Sequence, residues 1–175
     1  MKSKLTNKQL TKKAARIKFV LADVDGVLTD TGVYYSVNGE ELKRYSIRDG
    51  MGVERLRTEA NIETGILTRE NTKIVSSRAA KLKINELHMG SLNKLKTFEE
   101  ILKAKNLLAE EVAYIGDDII DIEVMESVGL SAAPKDALEI VKKCADFICP
   151  NKGGNGAFRD LAELIIDAKI KLKKN

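Results

Sequence analysis

FVLADVDGVLTD, residues 19–30, begins as an apolar run and places two carboxylates where that run ends. A short apolar run bounded by polar residues predicts a buried strand. Asp23 and Asp25 are two residues apart, so on an extended backbone their side chains point to the same face, with Cα atoms about 6–7 Å apart. Like charges aimed at one spot repel each other unless a cation or a proton compensates them. The segment therefore predicts both a central strand and the start of a functional site.

Apolar runs of this kind recur along the chain and alternate with helical patterns. Strands are predicted at about 17–22, 62–67, 112–115, 129–132 and 146–149, and helices at about 50–60, 72–82, 93–105, 119–127, 136–143 and 157–171. Alternation of strands and helices predicts a parallel sheet with helices on both faces. We expect one Rossmann-like α/β domain that spans residues 1–175.

One segment, VYYSVNGEELKRYS at residues 33–46, interrupts this alternation. Two short runs flank Asn38-Gly39, and Asn-Gly is the strongest short signal for a β-hairpin. A hairpin is therefore expected to project just after the first strand.

The net charge of +4 comes from the two ends of the chain. Residues 1–18 carry seven Lys or Arg and residues 169–175 carry four Lys, with no acid in either, which leaves 19 basic against 26 acidic residues between them. Residues 1–16 are expected to form a basic helix or tail. Basic ends can contact nucleic acid, but no aromatic residues are interleaved here, so solvated helices and no nucleic-acid partner are expected.

No apolar run reaches the length of a membrane span, and the N-terminus has no apolar signal core. We expect a cytoplasmic protein with no membrane partner. Cys144 and Cys149 are accordingly expected to be reduced thiols, with a disulfide as the alternative.

Polar residues follow three of the predicted strands, at the edge where an open α/β sheet binds its ligands. They are Asp23, Asp25 and Gly26 after the first strand, Thr68, Arg69 and Glu70 after the second, and Asp117, Asp118 and Asp121 after the third. Carboxylates gathered in this way demand a cation, and a set of oxygen ligands favours Mg²⁺. Because Mg²⁺ is usually held by one or two carboxylates and a substrate phosphate, the substrate is expected to be phosphorylated.

The same residues predict a mechanism of phosphoryl transfer. Uncatalysed hydrolysis of a phosphate monoester needs accelerations of up to roughly 10²¹, whereas general acid–base catalysis contributes only about 10²–10⁴. A carboxylate nucleophile such as Asp23 splits the reaction into two displacements, and Asp25 can transfer the protons. Thr68, Lys94 and the backbone N–H groups that begin at Gly26 can bind the phosphate oxygens.

The motifs DVDGVLT (23–29), Thr68, Lys94 and GDDIID (116–121) resemble those of the haloacid dehalogenase superfamily. Residues 17–168 resemble its branch without a cap domain, which includes phosphatases of 3-deoxy-octulosonate 8-phosphate and nonulosonate 9-phosphate. GEELKRYSIRDGMG (39–52), VGLSAAPKDA (128–137) and GGNGAFRDL (153–161) carry this second resemblance. It implies a Mg²⁺-dependent sugar-acid phosphatase and a homotetramer whose subunits cover one another's sites through the hairpins.

The resemblance also implies roles for individual residues. Asp23 is expected to be the nucleophile and a metal ligand, Asp25 the acid/base with its carbonyl on the metal, and Asp117 the third ligand. Asp118 and Asp121 are expected to hold these ligands in place. The residues expected to contact substrate are Gly26, Ser46, Ile47, Arg48, Asp49, Gly50, Glu70, Arg78, Lys81 and Lys94. Residues 153–159 are expected to form a flexible tail near the entrance.

The second motif departs from the octulosonate pattern. That branch carries Thr-Gly-Arg, whereas this chain has Thr68-Arg69-Glu70. Glu70 resembles the nine-carbon branch, and on one helix Glu70, Arg78 and Lys81 would share a face. These residues favour a nonulosonate 9-phosphate of the KDN or N-acylneuraminate type without excluding the octulosonate. Nothing in the sequence explains Arg69.

Two other classes of protein share parts of this pattern. A phosphoacceptor signalling domain also uses clustered Asp, Thr and Lys, but its acceptor lies on the third strand. A noncatalytic module that partners a sugar-acid cytidylyltransferase can lose the motif carboxylates, whereas this chain keeps Asp23, Asp25, Lys94 and Asp117. An enzyme is therefore favoured over both.

Overall fold

The computed structural model describes residues 5–173 of the chain. The first four residues of the predicted basic segment and the last two of the basic C-terminus lie outside the described residues. The elements are α1 (Asn7–Arg16), β1 (Phe19–Ala22), β2 (Thr29–Ser36), β3 (Gly39–Tyr45), α2 (Ile47–Ala60), β4 (Glu63–Leu67), α3 (Lys73–Leu82), β5 (Glu86–His88), α4 (Lys94–Lys105), β6 (Val112–Ile115), α5 (Ile122–Ser127), β7 (Leu130–Ala133), α6 (Glu139–Cys144), β8 (Phe147–Ile148) and α7 (Ala157–Lys173).

Six strands form a parallel sheet in the order β5-β4-β1-β6-β7-β8. The predicted α/β, Rossmann-like class is confirmed. Within residues 5–173 the hairpin is the only other sheet, and no cap domain covers the carboxyl end of the strands. This edge is where the predicted site residues meet.

Alternate residues of β1 pack on opposite faces of the sheet, as a strand requires. Val20 and Ala22 join a buried cluster that includes residues of α1, α2, α3 and α7, whereas Phe19 and Leu21 join a second cluster that includes residues of α4, α5 and α6. Both faces of the central strand are therefore buried, which explains why its sequence reads as a continuous apolar run.

The predicted hairpin is present as the antiparallel pair β2–β3. It begins at Thr29 rather than at residue 33, and its turn is displaced by one residue from the expected Asn38-Gly39. Ser36 pairs with Gly39, so Val37 and Asn38 form the turn and Gly39 starts β3 with a φ of 105°. A φ in this region favours glycine.

The N-terminal segment is helical from Asn7, where Thr6 and Gln9 form a capping box. None of the described helices has both the length and the apolar character needed to cross a bilayer. Cys144 and Cys149 are not joined in a disulfide.

Three of the differences from the predicted boundaries have clear local causes. Helix α2 begins at Ile47 instead of 50. The Ser46 side chain caps it by accepting hydrogen bonds from the backbone N–H groups of Arg48 and Asp49. The predicted helix 119–127 is a 3₁₀ turn (Ile119–Asp121) followed by α5. Strand β5 was not predicted, since its three residues at the sheet edge show no apolar run.

Candidate active site

Three of the predicted motifs meet at the carboxyl end of the sheet. β1 is hydrogen-bonded to β4 on one side and to β6 on the other. Asp23 directly follows β1, Thr68 follows β4, and Asp117 follows β6 after one glycine. The strand order therefore places these three side chains side by side, although they are far apart in sequence.

Lys94 brings the fourth motif to the same place. It is the first residue of α4, whose N-terminus is capped by the Asn93 side chain. Its Nζ lies 2.9 Å from Asp23 Oδ2 and 2.7 Å from Asp121 Oδ1, and only 2% of its side chain is exposed. A buried ammonium is tolerated when it is paired in this way. The Tyr114 hydroxyl, which the sequence analysis missed because it lies within an apolar strand, is 3.3 Å from the same Nζ.

Asp121 organises the loop that carries Asp117. Its Oδ2 accepts hydrogen bonds from the backbone N–H groups of Asp117 and Asp118 at 3.0 and 3.1 Å. Its Oδ1 accepts from Lys94 and, at 2.6 Å, from Tyr114. These four donors occupy the lone pairs of a carboxylate, so Asp121 suits the orienting role expected of it. The Asp118 side chain instead starts the following 3₁₀ turn.

The carboxylates form a strongly repulsive cluster. Asp23, Asp117 and Asp121 each offer an oxygen atom, and these atoms lie within 4.8 Å of one another. Burial and, second, the charge of Asp121 raise the pKa of Asp23 to about 7, although Lys94 opposes the rise. Burial and the charges of Asp23 and Asp121 raise the pKa of Asp117 to about 8. Three carboxylates opposed by one ammonium leave an excess of negative charge. Their oxygen atoms are ligands that suit a hard divalent cation.

Gly26 allows Asp117 to approach β1. Its φ is 79°, and a Cβ atom at this position would lie 2.0 Å from Asp117 Oδ2. Its N–H, expected to face the substrate, donates to Thr29 Oγ1 at 3.3 Å. The structure therefore gives Gly26 a packing role.

Asp25 lies apart from the cluster and is held by the hairpin. Both of its carboxylate oxygens contact Lys43 Nζ, at 2.8 and 2.9 Å, and the Thr29 hydroxyl donates to one of them at 3.3 Å. Only 1% of the Lys43 side chain is exposed. The sequence analysis missed Lys43, because nothing in a lysine-rich chain distinguishes one lysine of a projecting hairpin.

Thr68 is buried and accepts a hydrogen bond from the backbone N–H of Glu70 at 3.1 Å. A threonine hydroxyl that accepts one bond still has a proton to donate, which suits a phosphate oxygen. Arg69 and Glu70 are both exposed.

Asp49, expected to contact substrate, has a structural role in the packing of two helices. Its carboxylate oxygens accept hydrogen bonds from the backbone N–H groups of Gly156 and Arg159 at 3.1 and 3.0 Å, and the residue is 1% exposed. These groups lie at the N-terminus of α7, where N–H donors have no partner within the helix. Asp49 therefore fixes α7 to α2, and its expected contact with substrate stays a prediction.

The rest of the segment 46–50 divides between buried and exposed residues. Ser46 caps α2, and its carbonyl oxygen accepts from Arg78 at 2.9 Å. Gly50 is buried, and a Cβ atom there would lie 2.9 Å from the Arg78 guanidinium. These contacts assign Ser46 and Gly50 to packing, whereas Ile47 and Arg48 are exposed and accessible to a ligand.

Glu70 does not share a helical face with Arg78 and Lys81. Helix α3 begins only at Lys73, so the helical spacing expected from residue 70 onward is wrong. The Arg78 guanidinium lies over the Tyr45 ring, 5.3 Å from its centroid. Arg78 and the exposed Lys81 line a cleft of about 450 Å³ between α3 and β3.

The segment 153–159 is packed and is not a flexible tail. Gly153 and Gly154 are buried against the backbone of Gly26 and Thr29, and the Gly154 N–H donates to the Val27 carbonyl at 2.9 Å. The segment supports the loop that carries Asp25.

This fold and this set of side chains define a phosphohydrolase of one family. The model for haloacid dehalogenase-like hydrolases matches residues 38–160, and the chain belongs to that family. Among its relatives is the 3-deoxy-D-manno-octulosonate 8-phosphate phosphatase of Salmonella typhi, 44% identical over 160 residues that cover 91% of this chain and 85% of the relative. The chain is thus a phosphoric monoester hydrolase.

Solved structures agree with this assignment. The crystal structure of the phosphatase of that name from Yersinia pestis is 40% identical, covers 94% of this chain and 89% of its own, and superposes with a TM-score of 0.90. The Moraxella catarrhalis phosphatase, solved with magnesium, phosphate and KDO, is 30% identical, covers 95% of each chain and has a TM-score of 0.90.

We predict that Mg²⁺ stabilises the protein more at high pH than at low pH. The raised pKa values of Asp23 and Asp117 mean that the folded protein binds protons more tightly than the unfolded chain. The metal-free protein therefore loses stability as the pH rises from about 4 through 8, and Mg²⁺ competes with the protons. The Mg²⁺-induced rise in melting temperature should grow between about pH 5.5 and 8.5 and be lost in Asp117→Asn; the same rise at every pH would contradict this account.

We further predict that Asp49→Ala lowers the free energy of unfolding by about 2–6 kcal/mol, because it leaves one buried and one half-buried N–H donor unpaired at about 1–3 kcal/mol each. Urea denaturation measures the change. Asp167→Ala, at an exposed site of α7, is the control and should change stability by less than about 0.5 kcal/mol. Equal effects of the two substitutions would refute the capping role.

Proposed function

We propose that this phosphatase hydrolyses the phosphate monoester of a 2-keto-3-deoxy sugar acid, with Mg²⁺ as cofactor and Asp23 as nucleophile. The observation that carries the proposal is the contact of buried Lys94 with both Asp23 and Asp121. This contact would place the Asp23 nucleophile beside an ammonium that can bind phosphate, at the open end of the sheet. The similarity to a sugar-acid phosphatase over 91% of the chain supports the substrate class.

In the first displacement, an Asp23 carboxylate oxygen attacks phosphorus and the bond from phosphorus to the sugar oxygen breaks. Asp25 gives its proton to that departing oxygen, while Lys94 and the Thr68 hydroxyl bind phosphate oxygens. In the second displacement, water attacks the aspartyl-phosphate, the bond to Asp23 breaks, and Asp25 takes a proton from the water. Mg²⁺ would neutralise negative charge on the transferring phosphoryl group.

Two sugar acids, of eight and nine carbon atoms, are candidate substrates. The named relatives act on the eight-carbon octulosonate 8-phosphate, which makes this substrate the first choice. Glu70 favours the nine-carbon nonulosonate 9-phosphate as the second. A glutamate at this position cannot bind a carboxylate in the bidentate manner of an arginine. We therefore expect a change at residue 70 to alter the activity on the two substrates to different extents.

Phosphate release from both sugar acids, with Mg²⁺ present, tests the proposal. We expect steady turnover and a higher kcat/KM for the octulosonate, and Asp23→Asn should retain less than about 1% of the activity. Glu70→Arg should raise the preference for the octulosonate. Asp167→Asn serves as the control and should act like the wild type. A variant without Asp23 that turns over normally would refute the nucleophile, and absence of turnover on both acids would refute the substrate class.

We also propose that the protein is a homotetramer joined through its hairpins. Tyr34 and Leu42 are cross-strand partners that stand 64% and 62% exposed, and Tyr35 and Val37 add 72% and 102%. An apolar surface of this kind is typical of a protein interface. A neighbouring subunit on this surface would cover the open end of the sheet.

Light scattering should therefore give about four times the subunit mass of 19.3 kDa. Leu42→Glu should dissociate the assembly and lower the sugar-phosphatase activity, because a buried charge is costly at an interface. Leu108→Glu is a matched control, since Leu108 is also 62% exposed but lies outside the hairpin. A monomer with full activity would contradict the proposal.

A further inference from the structure

Lys43 is a buried lysine that the reaction scheme above does not use. It lies on β3, and its Nζ contacts both carboxylate oxygens of Asp25 and stands 3.5 Å from Glu40 Oε1. Burial alone would lower the pKa of Lys43, but the hydrogen bond and the charge of Asp25, followed by those of Glu40 and Glu70, raise it above its ordinary value. The side chain is therefore a buried cation in contact with the carboxylates of Asp25 and Glu40.

The surroundings of Lys43 are incompletely hydrogen-bonded. Among the described residues, four buried side-chain polar atoms have no hydrogen-bond partner, and three of them belong to Glu40, Tyr45 and Arg78. Glu40 contacts Lys43, and Tyr45 and Arg78 line the same cleft as Lys43. By contrast, the four donors around Asp121 leave its carboxylate fully bonded. Unpartnered polar atoms beside Lys43 are poorly explained if its contact with Asp25 is only a structural ion pair, since a buried polar group normally finds its partners.

Lys43 is also the link between the hairpin and the acid/base residue. The contacts of Asp25 on its own loop come from Thr29, whereas Lys43 holds both carboxylate oxygens from another strand. Asp23, by contrast, is held by Lys94 and by the backbone N–H of Val24. Removal of Lys43 should therefore affect Asp25 and leave the nucleophile in place.

We propose that Lys43 is the positioning residue for Asp25 and orients its carboxyl group toward the departing sugar oxygen, an inference that rests on the proposed function. A proton donor must lie within hydrogen-bond reach of the atom it protonates, and a misplacement of about 1 Å can cost 10²-fold. Two contacts from one ammonium hold the carboxylate of a side chain that is 31% exposed.

The test compares two leaving groups. A sugar alkoxide must be protonated as it departs, whereas p-nitrophenolate is a weak base that leaves without a proton. The kcat/KM value reports only the steps through the first displacement when that step is irreversible. Lys43→Met should lower kcat/KM for octulosonate 8-phosphate by about 30-fold or more, within the range of general acid catalysis. This loss should exceed the loss for p-nitrophenyl phosphate at least tenfold.

Two further variants separate positioning from folding. Lys105→Met removes another lysine that bridges two carboxylates, Glu63 and Glu86, at the opposite end of the sheet, and should lower kcat/KM for both substrates by less than threefold. In an Asp25→Asn background, Lys43→Met should have less than a threefold additional effect, because Lys43 acts through Asp25. If Lys43→Met is unfolded at the assay temperature, Lys43→Gln takes its place under the same criteria.

Equal losses on the two substrates, or losses that multiply with those of Asp25→Asn, would overturn the role of Lys43. These outcomes would leave the proposed function intact, since wild-type turnover and its loss in Asp23→Asn test that function separately.

Discussion

Repulsion among three crowded carboxylates, two of them buried and one half-buried, is the constraint on which the rest of this structure depends. Asp23, Asp117 and Asp121 crowd within 4.8 Å, and the described side chains oppose their charge with Lys94. The imbalance is most simply relieved by a divalent cation with oxygen ligands. Burial strengthens the repulsion between these charges, since water would otherwise screen it. The same burial that makes the cluster costly to the folded chain makes it suitable for phosphoryl transfer.

The surrounding packing serves to keep that cluster in place. Four donors fix Asp121, and Asp121 in turn holds the backbone of the loop that carries Asp117. Glycine is required where the loops approach most closely, since a Cβ atom at Gly116 would lie 2.5 Å from Asp121. The loops that carry Asp23 and Asp117 are therefore positioned by close backbone packing together with side-chain hydrogen bonds, as expected for a preorganised site.

The sequence predicted the sheet, its helices and the main cluster, because periodicity and strand ends are local signals. It could not predict contacts between distant segments. Asp49 resembles a substrate ligand within its own motif, and only the approach of α7 reveals its capping role. Lys43 acquires its importance from the fold of the hairpin onto Asp25. The helical spacing that groups Glu70 with Arg78 and Lys81 extends beyond the predicted helix, and α3 in fact begins at Lys73 after its cap Thr72.

The central claim is that the cluster binds a divalent cation and that an Asp23 carboxylate oxygen attacks the phosphorus atom directly. A crystal structure with Mg²⁺ and orthovanadate, a mimic of the transferring phosphoryl group, tests both parts together. The account predicts Mg²⁺ in contact with carboxylate oxygens of Asp23 and Asp117, and vanadium within bonding distance of the other Asp23 oxygen. Mg²⁺ bound elsewhere, or vanadate bonded to a different residue, would contradict it.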